Sequence, residues 1–269
     1  MHVVITGASS GIGEALAREY LGRGASLTLV ARRRGKLEEL AEGHADRCRV
    51  VEADLTLHER ACDWVDAAAK ALGDIDVFVN NAGVQIVGRT VDVSVEESER
   101  MLRLNVLTPM RLVKHVLPGM LARGRGTLVN IASMAAIAPT PGMFYYNASK
   151  AALGAASESL RGELRGTGVG VMTVYPGPVR TAMEATGRAA YVETAMMKLF
   201  TPVGEADVLA RKIANGVASG RARIIYPATY GVSRHLPNLT RFFLDRFTPP
   251  LKALPPADAK ALPSGDVKA

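Results

Sequence analysis

The stretch HVVITGASSGIGEALAREYLGRG, residues 2–24, decides the fold. HVVIT is a short β-branched run that reads as a strand. GEALAREYLGRG has apolar residues at helical spacing and is closed by glycine. Between them lie Gly7, Gly11 and Gly13, with Ser9, Ser10 and Ile12 in the same turn. Glycine permits a tight turn and lets backbone N–H groups approach a pyrophosphate. The N-terminus of the following helix adds partial positive charge. The spacing, G-x3-G-x-G, departs from the usual G-x-G-x-x-G, and a plain strand–turn–helix can use the same glycines. The turn's place in the first βα unit favours a nucleotide.

Working outward, strands and helices alternate. SLTLVA (26–31), RVVEA (49–53), DVFVN (76–80), GTLVNIAS (126–133), VGVMTVYP (169–176) and ARIIYP (222–227) read as strands. Helical patterns occupy 35–44, 59–73, about 95–122, about 144–166 and 204–220, and Pro109 is expected to break or bend the third of these. The strands are near-continuous apolar runs, as in sheets buried on both faces. The expectation is an α/β fold, one doubly wound parallel sheet with helices on both faces and right-handed crossovers, over residues 1–228. Residues 229–250 form an amphipathic extension. Residues 251–269, rich in Pro, Ala, Lys and Asp, read as a disordered tail.

Composition narrows the class. Of 269 residues 48% are hydrophobic, enough for a real core. Cys48 and Cys62 stand in no metal-ligand pattern and read as thiols of a reducing compartment, so no metal is expected. The opening residues have no charged segment with an apolar run behind it, so no signal peptide is read. The longest uncharged run, 126–149, holds Pro139, Pro141, Gly142 and Asn147 and is a poor membrane span. A soluble, cytoplasmic protein is expected. The net charge is +7, and residues 201–269 carry ten Lys/Arg against five Asp/Glu. With no basic block interleaved with aromatics, no nucleic-acid partner is expected, and the excess reads first as solvated surface.

The second strand ends LVARRR. Ala31 stands where an NAD-binding chain places an acid for the ribose hydroxyls, and Arg32 and Arg33 follow. Two guanidinium groups there suit a 2′-phosphate, so NADP(H) is preferred, with NAD(H) the other candidate. The plainer reading is a solvated turn. EADLT, with Asp54 and Leu55, and NNAG, with Asn81, Ala82 and Gly83, follow the third and fourth strands, where ligands bind in open α/β sheets. Asp54 would accept from an adenine amino group or merely cap its loop. NNAG would bring backbone close to a cofactor or only form a turn.

FYYNASK, residues 144–150, supplies the chemistry. Tyr146 and Lys150 are four apart and share a helix face, whereas Tyr145 and Lys150 diverge by about 140°. A phenol titrates near 10 unperturbed, and a fixed ammonium beside it favours the phenolate, making its proton transferable. Ser133, just past the fifth strand, would hold a carbonyl oxygen beside that phenol. Asn105 would feed a proton relay through water. Singly, each has an ordinary reading: a chance i, i+4 pair, a cap, a bend before Pro109.

Together these residues resemble the short-chain dehydrogenase/reductase family in its compact single-domain branch. The resemblance rests on TGASSGIG (6–13), NNAG (80–83), Asn105, Ser133, YNASK (146–150) and PGPVRT (176–181), and spans about residues 1–226. It implies a Rossmann-like sheet of order 3-2-1-4-5-6-7. It implies Tyr146 as general acid or base, Lys150 lowering its pKa and bonding the nicotinamide ribose, Ser133 orienting the carbonyl and Asn105 sustaining the relay. Pro176, Gly177, Val179 and Thr181 would meet the nicotinamide end, and a homodimer or homotetramer is implied. Ser10 stands where some NADPH-using members carry a basic residue, so 2′-phosphate recognition rests on Arg32 and Arg33.

The segments expected around a substrate, MAAIAPTPGMFY (134–145) and 182–200, are apolar and hold Met134, Met143, Phe144, Met183, Met196 and Met197. Flexible thioethers suit an irregular apolar ligand, though they also fill core gaps. Residues 182–200 read as a lid. The expected substrate is a hydrophobic ketone or alcohol, contacting Ser133, Met134, Phe144, Tyr146 and Met183. In 233–248, Leu236, Leu239, Phe242, Phe243 and Phe247 recur at near-helical spacing among arginines. Pocket cover, subunit contact and a membrane surface are its three readings. Two other functions compete with a general carbonyl oxidoreductase: a 3-oxoacyl thioester reductase, and a binding protein that senses NADP(H) without turnover.

Overall fold

Strand β1 (His2–Thr6) is buried along its whole length, because alternate residues face opposite layers and both layers are covered. The structure, a computed structural model, describes residues 1–194 and 201–252. Seven parallel strands form one sheet in the order β3-β2-β1-β4-β5-β6-β7. They are β1, β2 (Ser26–Ala31), β3 (Cys48–Glu52), β4 (Ile75–Asn80), β5 (Gly126–Ile131), β6 (Val169–Pro176) and β7 (Arg223–Tyr226). The α/β expectation and its strand order hold.

Each face has its own core. Val3, Ile5, Leu27, Leu29, Val79 and Ile131 pack beneath α1 (Gly11–Gly22) and the helix Ala206–Ala218. Val4, Val30, Phe78, Leu128 and Val171 pack on the other face with Trp64, Leu112, Val116 and Met120. β1 pairs with β2 on one side and β4 on the other, so the connections leave in opposite directions at its C-terminal end. That divergence opens the crevice in which ligands of doubly wound sheets sit.

The 95–122 region divides differently from the expectation. Helix Val95–Leu102 runs into a π-helical segment, Arg103–Leu107, and then into helix Thr108–Arg123. The interruption is the π segment, which ends two residues before Pro109, and Pro109 itself sits in the first turn of the later helix. After α2 (Arg34–Ala41), α3 (Val65–Leu72), α4 (Val95–Leu102) and α5 (Thr108–Arg123), helix α6 (Phe144–Glu163) ends three residues before the expected Gly166.

Three polar side chains tie α6 to the sheet from within. Asn80 Nδ2 donates to Asn130 Oδ1 at 2.8 Å, Asn130 Nδ2 to Ser157 Oγ at 2.8 Å, and Ser157 Oγ to Leu153 O at 2.6 Å. All three residues are buried. Further along α6, Glu158 accepts from Arg223 of β7 and pairs with Arg161. Burial alone would raise this carboxyl, but the two arginines hold it at about 2.

The extension forms a helical turn, Val232–His235, and a helix, Pro237–Phe247. Beyond it, Val192 N donates to Pro250 O and Lys252 N to Ala190 O, each at 2.9 Å. Leu251 lies against Gly142 (φ 85°), where a Cβ would stand 2.8 Å from Leu251 Cδ2. The first two residues of the expected tail are thus strapped to the fold. Residues 253–269, and Met196 and Met197 of the expected lid, lie outside the described residues.

Candidate active site

A cavity of about 980 Å³ runs along the C-terminal ends of the strands. Gly7, Ser9, Ser10, Gly11, Ile12, Arg32, Arg33, Asp54 and Leu55 line one end, and Asn81, Ala82 and Gly83 its floor. Gly7 (φ 67°) and Gly11 (φ 58°) have left-handed backbones that disfavour side chains. A Cβ on Gly7 would stand 2.8 Å from Ala82 Cα, and one on Gly11 3.0 Å from Thr181 Cγ2. Gly13 does not line the cavity. It is turned inward, where a Cβ would meet Gly7 O and stand 2.5 Å from Asn81 Nδ2. Its role is to let the turn close on NNAG, not to touch a ligand.

Thr6, which the sequence reading passed over, organises that closure. Its Oγ1 donates to Val79 O at 3.1 Å and accepts from Asn81 N and Ala82 N at 3.0 and 3.1 Å. Asn81 Nδ2 donates to Thr6 O at 2.9 Å. Arg33 folds back over the turn, its Nη2 donating to Ser9 Oγ at 3.0 Å and Ser9 O at 3.1 Å. Its guanidinium is thereby held beside the cavity, and both Arg32 and Arg33 are exposed at the rim. Asp54 caps its own loop, with Oδ1 accepting from Thr56 N at 2.9 Å and Thr56 Oγ1 at 2.8 Å, and it also faces the cavity. The glycine cradle, with no room for side chains, fits the close approach of a dinucleotide's pyrophosphate.

Ser133, Tyr146 and Lys150 meet in the middle of the cavity. The phenol of Tyr146 faces the Ser133 hydroxyl, whose Oγ donates to Pro176 O at 3.4 Å and accepts from Ala135 N at 3.1 Å. Lys150 Nζ donates to Ile131 O at 2.9 Å and lies 5.9 Å from the centre of the Tyr146 ring. Both side chains are deeply buried, which decides their protonation. Burial pushes the phenol up, against the Ser133 hydrogen bond that lowers it. Burial brings Lys150 down to about 8. Dehydration of the phenol outweighs the lowering by Ser133 and leaves the Tyr146 pKa above its ordinary value.

Asn105 does not line the cavity, and its amide is committed to Val84 and Ser149. Oδ1 accepts from Val84 N at 3.0 Å, while Nδ2 donates to Val84 O at 2.9 Å and Ser149 Oγ at 3.1 Å. The side chain clamps the loop after NNAG to α6. A Cβ at Gly83 would stand 3.1 Å from Asn105 Oδ1 and 3.4 Å from Lys150 Nζ, so loop, clamp and lysine pack as one unit.

At the far end, Met134, Met143 and Met183 line the cavity as expected. Phe144 does not. It begins α6 two residues before Tyr146, about 200° round the helix, and is 61% exposed with its ring edge-on to Tyr145 at 5.0 Å. The substrate contact assigned to it is corrected on that ground. Pro176, Gly177, Val179 and Thr181 line the wall between the two ends. The extension helix adds Thr240, Phe243, Leu244 and Phe247. It is therefore a cavity wall, one of its three sequence readings. Among the described residues, no group of three or more His, Cys, Asp or Glu comes together as a metal site.

Comparison with known proteins agrees with this geometry. A family model described as short chain dehydrogenase matches residues 1–191. An uncharacterized oxidoreductase of Staphylococcus epidermidis is 38% identical over 180 residues, covering 67% of this chain and 78% of the relative. Among solved structures, 3-ketoacyl-(acyl-carrier-protein) reductase of Brucella melitensis, complexed with NADH, superposes with a TM-score of 0.73. It is 25% identical, covering 84% of this chain and 96% of that one. The closed form of a serine dehydrogenase complexed with NADP+ gives a TM-score of 0.75 at 27% identity, covering 85% and 96%. With the seven-stranded order and the glycine turn at its switch point, these matches show that the chain belongs to the short-chain dehydrogenase/reductase family of NAD(P)(H)-dependent oxidoreductases.

Proposed function

We propose that this chain is an NADP(H)-preferring oxidoreductase acting on a hydrophobic ketone or the corresponding alcohol. The observation that carries the reading is the meeting of Ser133, Tyr146 and Lys150 in one cavity, between a glycine cradle with a tethered Arg33 and an apolar chamber. Gly7, Ser9, Gly11, Ile12, Arg32, Arg33, Asn81 and Gly83 would hold the dinucleotide, with Lys150 at its nicotinamide ribose. When bound, the dinucleotide supplies or accepts hydride. The hydroxyls of Ser133 and Tyr146 would share the carbonyl oxygen. Tyr146, kept protonated by burial, would give its proton to the oxygen as negative charge develops there. Lys150, an ammonium at neutral pH, would stabilise the phenolate left behind.

NADPH consumption with a panel of ketones tests the reading. Tyr146→Phe should lower turnover by about 10²–10⁴ while leaving NADPH binding intact. Tyr145→Phe, outside the cavity, should keep most activity. The reverse result would overturn the assignment. Arg33→Ala should raise KM for NADPH and leave that for NADH unchanged, and equal effects on both would refute the 2′-phosphate role. Similarity to the Brucella reductase favours one narrower reading, a 3-oxoacyl thioester substrate. Turnover of an acetoacetyl thioester well above that of simple ketones would select it. A homodimer or homotetramer goes with family membership and is read by analytical ultracentrifugation.

A further inference from the structure

The Pro237–Phe247 helix has two working faces. Thr240, Phe243, Leu244 and Phe247 line the cavity. Around the outside, Leu239 is 47%, Phe242 61% and Phe243 50% exposed, and Leu236 and Val232 continue the surface at 50% and 55%. Arg246 lies within the arc of Leu239, Phe242 and Phe243, with its guanidinium 5.6 Å from the Phe247 ring centre. Phe243 and Phe247 belong to both faces, so the cavity mouth opens onto this apolar surface.

We propose that this helix docks on an anionic lipid surface, its outer apolar face in the headgroup–acyl boundary and the cavity mouth turned to the lipid. Charge selects that occupant. Residues 232–252 carry Arg234, Arg246 and Lys252 with no carboxylate to offset them, because Asp245 is paired at 2.6 Å with Arg241, which also donates to Pro139 O at 3.2 Å. A second copy related by a twofold axis would set this cationic patch on itself, like charge against like. The chain's own residues 253–269 balance Lys260 and Lys268 with Asp258 and Asp266 and hold no aromatic residue. Anionic headgroups complement the arginines, and an aromatic, leucine-bearing face with interspersed arginine suits shallow insertion. That a lipid-dissolved substrate enters from this side rests on the function proposed above, whereas the docking does not.

The test is flotation of the full chain, without cofactor or substrate, with vesicles of phosphatidylcholine alone or mixed with phosphatidylglycerol. Binding is expected to the anionic vesicles and to weaken as salt rises. The pair Leu239→Ser with Phe242→Ser, neither lining the cavity, should cut the bound fraction at least about tenfold. Thermal unfolding at the wild-type midpoint would show the variant folded. The proposal is overturned if the wild type stays unbound or the variant floats equally. It is also overturned if the substitutions dissociate an oligomer without changing flotation, which would make the face a subunit contact. Ketone reduction in vesicle-free buffer is unaffected by any of these outcomes, so docking and catalysis fail separately.

Discussion

Lys150→Met should alter stability in a pH-dependent way that reports the cost of burying this ammonium. Lys150 is 5% exposed, and burial lowers it from 10.5 to about 8. Unfolding returns it to water and to its ordinary value. The gap opposes folding by about 3 kcal/mol at pH 7. Between pH 8 and 10.5 the unfolded chain binds more protons at this site than the folded one, so wild-type stability gains with pH through that window. Methionine is one atom shorter and carries no charge, so its variant lacks the gain. Relative to wild type, the variant is therefore most favoured at or below pH 7 and should lose about 2–3 kcal/mol of that advantage by pH 10. A pH-independent cost opposes it, because Ile131 O loses its donor, worth about 1–3 kcal/mol. The slope, not the sign at one pH, is the diagnostic. Urea unfolding of both proteins at pH 7 and pH 10, followed by circular dichroism, measures it. Parallel pH dependences would show that the ammonium is not desolvated in the folded chain.

Three further outcomes follow from the same geometry. Gly13→Ala should destabilise by about 1–3 kcal/mol and weaken dinucleotide binding, since its Cβ would collide with Gly7 O and Asn81 Nδ2; unchanged chemical denaturation and cofactor titration would contradict this. Ser157→Ala leaves buried Asn130 Nδ2 without its partner and should cost about 1–3 kcal/mol, and a change in KM and kcat of a soluble ketone beyond that loss would show that α6 had shifted. His2 is held neutral by burial, against the Gly73 carbonyl that raises it, so its pKa lies below 6.5. Because the unfolded chain takes up the proton first, stability should decline as pH falls through 6.5, and His2→Gln should flatten that decline in thermal melts between pH 7 and 5.

What the sequence disclosed was what depends on near neighbours. The glycine turn is a local demand on φ, and the Tyr146–Lys150 spacing is fixed by one turn of helix, so both were legible before any coordinates. Asn105 was recognisable as a residue of interest, but its partner Val84 is 21 positions away and reached only through the π segment. Phe144 was misread because Met143 and Tyr146, close to it in sequence, line the cavity, while helix rotation carries it outside. Gly13 was grouped with two glycines that meet the cavity although its own constraint is packing. The polar chain Asn80–Asn130–Ser157 spans three elements, and only Thr6, within the quoted turn motif, could have been suspected from its position. The phenol's raised pKa follows from burial, a property of the assembled fold and not of residue spacing.

The π segment Arg103–Leu107 also bears on which insertions and deletions this chain can absorb. A π turn holds one residue more than the α turn it replaces. Removing one residue there would restore an unbroken α-helix and turn one flank about 100° against the other. If the first flank turned, Ser98 and Met101 would leave the interior; if the second, Leu112 and Val116 would. Asn105 would in either case lose its register with Val84. Leu107 is 42% exposed, so changes of side chain there should pass with little effect. Chain length across these five positions is the stricter requirement, and a deletion scan would find intolerance where a substitution scan finds latitude.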